Sequence, residues 1–183
     1  MTDLEKILER CKKQERSAQA DLYRWLAPKL LGLCLRYIQD RAEAEDVMQD
    51  AFVKIFSNIS AFKGTGSFEG WAKRIAVNTA LTALKSKNRM HFERHADTHE
   101  NIGMPDEEPV ALNAAEIMSC MAALPTGYRT IVNLFLVEAF SHKEIAEKLN
   151  ITESTSRSQY ARARQLLMKL IKEKTERMLT KNS

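Results

Sequence analysis

Four groups of residues in this 183-residue chain have types and spacings that could do chemistry. Asp46, Gln49 and Asp50 fall within about one helical turn of each other. Carboxylates this close could serve acid–base catalysis or hold a metal. No His and no second carboxylate cluster lies nearby in sequence, however, so the trio reads as a solvated polar face. The second group is the loop Lys63, Gly64, Thr65, Gly66 and Ser67, set between Phe62 and Phe68 and followed by Trp71, Lys73, Arg74, Asn78 and Lys85. Its two glycines lack the spacing and the Lys-Ser/Thr ending of a phosphate-binding P-loop. Aromatic rings interleaved with cations match single-strand nucleic-acid binding instead, with bases on rings and phosphates on cations. Spacing alone puts Phe68 and Trp71 in a core at i and i+3, with a mixed role open for Trp71. The third group is His91, His95 and His99, a four-residue repeat that would form one stripe on a helix. Without Cys or carboxylate partners in a folded frame, these read as solvated histidines rather than a metal site. The fourth is Ser154, Arg157, Ser158, Ala161 and Arg162, arginines mixed with small residues on one side of a helix. Small residues permit close approach to a major groove, where Arg reads guanine or grips phosphate.

The last group needs a helix held at a fixed angle, and its surroundings provide one. Ser141 with Glu144 is a capping box opening a short helix with Ile145, Ala146 and Leu149 on its apolar side. Asn150 is the residue best able to turn the chain left-handed. Thr152 caps the next helix, with Glu153 at its positive end. Ser156, Tyr160, Ala163 and Leu167 then face inward at three- and four-residue steps, and the basic tail Lys169–Lys181 extends the helix. Upstream, Ala115, Ile117, Met118, Met121, Ala122 and Leu124 pattern a helix from near Asn113 that Pro125 ends. Thr126 is a candidate cap for the following helix, which is apolar nearly all round and so central to its bundle.

The front half is helical by the same test. From Asp3 to about Gln39 apolar residues recur at helical spacing, and Pro28 must kink this run or start a new helix. Asp40 and Glu43 form a box-like start for the helix bearing Asp46, and Ala44, Val47, Met48, Ala51, Phe52, Ile55 and Phe56 make its apolar stripe. Ser67 is a candidate cap for a helix from Phe68 to about Lys85.

Composition narrows the class. Apolar content of 44% with only six Gly and four Pro permits real cores and favours helices. The net charge is only +4, but it is unevenly spread. Lys63–Arg94 holds seven bases and two acids, Ser141–Ser183 ten bases and five acids, and Asp97–Glu116 six acids and no base. Two basic blocks around an acidic connector imply two surfaces facing polyanions. Cys11, Cys34 and Cys120 lack any CxxC spacing and read as buried thiols in a reducing cytoplasm. No apolar run is long enough for a membrane span, and the start of the chain has no signal-peptide core. The expected architecture is all-α, two small helical domains at 1–86 and 113–183 joined by a flexible acidic linker at 87–112.

Three stretches resemble the extracytoplasmic-function group of sigma-70 RNA polymerase sigma factors. AEDVMQDAF is similar to the family's clamp-binding helix. FKGTGSFEGWAKRIAVNTA is similar to its promoter-melting segment, with Trp71, Arg74, Ile75, Ala76, Asn78 and Ala80 on the WxxRIAxNxA signature. Ala123–Pro125 followed by HKEIAEKLNITESTSRSQYARAR resembles its helix-turn-helix. The resemblance implies a non-enzymatic, cytoplasmic subunit without metal or cofactor that partners the RNA polymerase core, promoter DNA and an anti-sigma factor. It implies that Asp46, Gln49 and Asp50 dock on the polymerase large subunit. Lys63, Gly64, Thr65, Gly66 and Ser67 would cradle a flipped non-template base of the −10 element at Trp71's helix, while Lys73, Arg74, Asn78 and Lys85 hold the neighbouring backbone. Arg157, Ser158 and Arg162, on the face with Ser154 and Ala161, would read the −35 duplex. Two positions depart from the family's pattern. Ser156 stands where Val is usual, removing volume that Tyr160 could restore, and Gln159 stands where a base is usual, leaving a phosphate contact there without its cation.

Overall fold

The structure is a computed structural model that describes residues 2–87 and 113–181. The chain divides into two units, 1–88 and 89–183. All regular secondary structure among the described residues of both is helical. The histidine stripe His91/His95/His99 and the acidic connector lie outside the described residues.

Unit 1 contains α1 (Asp3–Lys12), α2 (Arg16–Tyr37), α3 (Arg41–Asn58) and α4 (Phe68–Ser86), with one 3-10 turn, Ile59–Ala61, after α3. Helices α2, α3 and α4 pack mutually, and α1 lies on α2 and the 3-10 turn. Leu22, Leu26, Leu30 and Leu33 form the seam of α2, against Val47, Ala51, Phe52 and Ile55 of α3 and Ala72, Ala76, Ala80 and Leu84 of α4, all buried. Alanine at four-residue steps along α4 gives that helix a slim inner face.

Pro28 neither ends nor restarts a helix: α2 runs through it. Its ring lies on the exposed side, where the Arg24 carbonyl that loses its N–H partner can turn to water. The break falls earlier, at Gln14, whose φ of 60° puts it in the left-handed region. Asp40 caps α3 by accepting from the Glu43 backbone N–H at 2.8 Å. The reciprocal half of the box is replaced by a longer link, Glu43 to Lys87 at 3.0 Å, joining the start of α3 to the end of α4.

Unit 2 contains α5 (Ala114–Ala122), α6 (Thr126–Val132), a π turn (Asn133–Val137), α7 (His142–Leu149) and α8 (Glu153–Lys181). Its core joins Cys120, Met121 and Leu124 to Val132, Ala163 and Leu167. Thr126 is the first residue of α6 rather than its cap; Pro125 holds the cap position without a side-chain bond. Arg129 does the work at this corner. Its guanidinium, on a residue only 5% exposed, donates to the carbonyls of Leu124 at 2.9 Å and Ala122 at 3.2 Å, closing the end of α5. Burial lowers its pKa. The helix after it is not buried all round, because it widens into the π turn and leaves Leu136 and Val137 exposed.

Candidate nucleic-acid and polymerase interfaces

On α3 the inward stripe and the outward face separate cleanly. Asp46, Gln49 and Asp50 are all exposed on the side away from α2 and α4. The structure adds Val53 to this face, 64% exposed and one turn beyond Asp50. Its i, i+3/i+4, i+7 relation to Asp46 and Gln49 was the available signal, hidden because Val53 adjoins the apolar stripe in sequence.

The loop Lys63–Ser67 is exposed along its whole length. Gly64 at φ +75° and Gly66 at φ +85° sit where a side chain strains the backbone, although a Cβ at either would meet nothing within 4 Å. Ser67 caps α4, its Oγ accepting from Gly70 N at 3.0 Å. Behind the loop three rings pack together: Phe62 meets Phe68 edge-on at 5.3 Å and Trp71 at 5.6 Å, and Phe68 lies 5.4 Å from Trp71. Phe68 is buried, whereas Trp71 is half-buried and keeps one side on a concavity. Asn78 shares that concavity, as do Lys54, Asn58 and Thr82, which the sequence reading did not single out. Lys54 Nζ donates to Thr79 Oγ1 at 3.2 Å, fixing a cation from α3 over α4.

The α4 cations do not share one surface. Arg74 and Lys85 are exposed, as is the neutral Asn78. Lys73 turns to the other flank, paired at 2.8 Å with Glu69, which also accepts from Lys29 of α2 at 2.5 Å. Hydrogen bonds from Lys29 and Lys73 hold the Glu69 carboxyl below its ordinary pKa. A phosphate meeting Lys73 would compete with that carboxylate.

In unit 2 local signals set the helix-turn-helix. Ser141 and Glu144 make the full capping box. Asn150 takes φ 56°, ψ 49°, and Thr152 Oγ1 accepts from Thr155 N at 3.0 Å. Along α8, Ser154, Arg157 and Ala161 are exposed, with Ser158 and Arg162 partly covered. Arg157 pairs with Glu153 at 2.5 Å, so its guanidinium is pre-positioned at the start of the helix. Ser156 and Gln159 are 0% and 1% exposed. Gln159 is thus a packing position, and a cation there would face the interior rather than a phosphate. His142 packs flat on Phe135 with centroids 4.5 Å apart, and Tyr160 meets both rings, 4.5 Å from Phe135 and edge-on to His142 at 5.6 Å. No metal-holding cluster of His, Cys, Asp and Glu occurs among the described residues, and none of their helices is long and apolar enough to cross a membrane.

The two units match two family profiles in order: Sigma-70 region 2 over residues 22–90 and Sigma-70 region 4 over residues 114–167. The chain is 28% identical over 182 residues to the ECF RNA polymerase sigma factor SigW of Bacillus subtilis, covering 93% of this chain and 97% of that one. It is 29% identical to the ECF RNA polymerase sigma-E factor of Haemophilus influenzae, covering 88% and 91%. Among solved structures, a sigma factor RpoE in complex with the anti-sigma factor NepR from Bartonella quintana shares the fold, with a TM-score of 0.52 at 19% identity over 84% of this chain and 96% of that one. Helical units bearing sigma regions 2 and 4, each with its polar face exposed, make this chain a member of the sigma-70 family, an extracytoplasmic-function sigma factor that directs RNA polymerase to specific promoters.

Proposed function

We propose that the two units divide promoter recognition between an opened strand and a closed duplex. The loop Lys63–Ser67 receives a base extruded from the −10 element. Extrusion costs a few kcal/mol, which stacking and nearby cations must offset. Trp71 and Asn78 flank the adjoining concavity, and Arg74 and Lys85 meet the backbone, with Lys73 exchanging Glu69 for phosphate. The exposed face of α8 enters the major groove of the −35 duplex, where Arg157 and Arg162 reach base edges or phosphates and Ser154, Ser158 and Ala161 permit close approach. Asp46, Gln49 and Asp50, with Val53 one turn further along the same face, moor unit 1 to the polymerase, with charge steering the encounter.

The bond-forming chemistry belongs to the polymerase, in the cytoplasm where it works, and this chain supplies position. The fold-sharing sigma factor solved in complex with the anti-sigma factor NepR supports a partner of that kind here. The segment 87–112 acts as the connector between the two DNA-binding domains, 1–86 and 113–183. The observation that carries this reading is the order of features on the chain: acidic helix face, two-glycine loop with rings, acidic connector, capped helix-turn-helix.

The test is transcription by purified core polymerase with and without the chain, on promoters located by sequencing the 5′ ends of transcripts that its overproduction induces. Initiation at those sites that depends on the chain is expected. Initiation independent of it, or none, overturns the reading.

A further inference from the structure

On α2 an exposed indole and an ammonium sit one turn apart. Lys29 Nζ lies 4.2 Å from the centroid of the Trp25 ring, and Trp25 is still 38% exposed. The same Nζ donates to Glu69 at 2.5 Å, and Glu69 takes Lys73 at 2.8 Å. Trp25, Lys29, Glu69 and Lys73 therefore form one continuous chain of contacts from α2 to the first turn of α4. That turn starts at Phe68, directly after the loop that ends at Ser67. The neighbouring ring on α2 is committed elsewhere: Tyr23 packs against Phe52 of α3 at 4.5 Å. Trp25 thus looks to the α4 flank, and Tyr23 to α3.

We propose that Trp25 and Lys29 form a second stacking platform for single-stranded DNA, continuing the track that begins at the loop Lys63–Ser67. The inference rests on the reading of unit 1 as the strand-binding unit and adds a site on α2. Two ammoniums against one carboxylate leave the cluster cationic, which suits a phosphate. A large exposed ring beside them suits a base of any sequence, because every base has a π-face. Glu69 anchors both lysines in the absence of DNA, so the platform is pre-arranged rather than assembled from mobile side chains. A solvated surface indole would need neither the second lysine nor the carboxylate bridge to the loop's own helix.

The chain has two tryptophans, Trp25 and Trp71, which lets each be watched alone. In the full-length Trp71→Phe variant, titration with the oligonucleotide dT12 at low salt should quench Trp25 emission saturably, and about 0.5 M NaCl should reverse it. By anisotropy of labelled dT12, Trp25→Ala should weaken binding about tenfold, with Trp25→Phe retaining most of it. Melting curves establish that each variant is folded. The Trp71→Phe measurement keeps Trp25 and stands even if Trp25→Ala does not fold. Trp71 quenched in the Trp25→Phe variant, with Trp25 silent in the Trp71→Phe variant, overturns the platform and leaves the strand-binding reading intact. Silence of both tryptophans with no anisotropy change sinks that underlying reading. Unchanged dT12 affinity in Trp25→Ala with lost binding to core polymerase assigns the patch to the polymerase and also overturns the proposal.

Discussion

His142 Nδ1 and Ser156 Oγ lie 3.0 Å apart, joining the first helix of the helix-turn-helix to the second through a polar pin inside an aromatic cluster. Val would fill the Ser156 position but could not bond the imidazole. The volume is made up by Tyr160 and Phe135, whose rings close around His142. The departure at Ser156 is therefore compensated by a hydrogen bond as well as by repacking.

The pin makes unit 2 sensitive to acid. Burial lowers the His142 pKa, Arg157 lowers it further, and Glu153 opposes them. The unfolded chain thus binds the proton more readily, so His142 detracts from stability progressively as pH falls from its ordinary value of about 6.5 toward the depressed folded one. The melting temperature of unit 2 should be lower at about pH 5.5 than at about pH 7.5. His142→Tyr should flatten that difference. An undiminished pH difference in the variant would assign it to other groups.

Arg129 should be among the costliest single truncations in unit 2. Arg129→Met leaves the carbonyls of Ala122 and Leu124 without that donor, which should remove about 2–3 kcal/mol of stability. Urea unfolding at equilibrium measures it. A loss below about 1 kcal/mol would mean water replaces the guanidinium.

Ala139 holds φ 56°, in the left-handed region, at the turn into α7. Ala139→Gly should stabilise unit 2 by up to about 1 kcal/mol, since relief of the Cβ clash outweighs the added freedom of the unfolded chain. A lower midpoint in denaturant would show that the turn carries no such strain.

Reversing charge with Asp46→Lys and Asp50→Lys should weaken core-polymerase binding by about two orders of magnitude without unfolding the chain, as like charges juxtaposed at an interface cost several kcal/mol. Val53→Ala should act differently, raising the off-rate at nearly constant on-rate, because an apolar contact steers nothing. Surface plasmon resonance separates the two rates. Full affinity in the double variant would make this face ordinary surface.

The three thiols should be silent in the folded protein. Cys11, Cys34 and Cys120 are all buried, and burial pushes Cys34 up to about 11 despite the nearby Arg36. A thiol-reactive chromophore should label none in native buffer and all three in denaturant. Rapid labelling of any one would show that its unit opens locally.

The sequence by itself determined what depends on a few consecutive residues. Caps at Ser141, Ser67 and Thr152, the left-handed Asn150 and the inward spacing of α3 and α8 arise from interactions within one or two turns, so residue type and period carry them. Tertiary structure decided whatever needs partners far along the chain. Pro28 stays inside a helix because the leucine seam of α2 is clamped by α3 and α4. Glu43 reaches Lys87, Glu69 reaches Lys29, and Lys54 lies over Thr79, each across tens of residues. Gln159 reads as a surface position until α8 is packed and buries it. Short-range hydrogen bonds are written in neighbouring letters; which charges and rings meet across helices is settled only when the cores close.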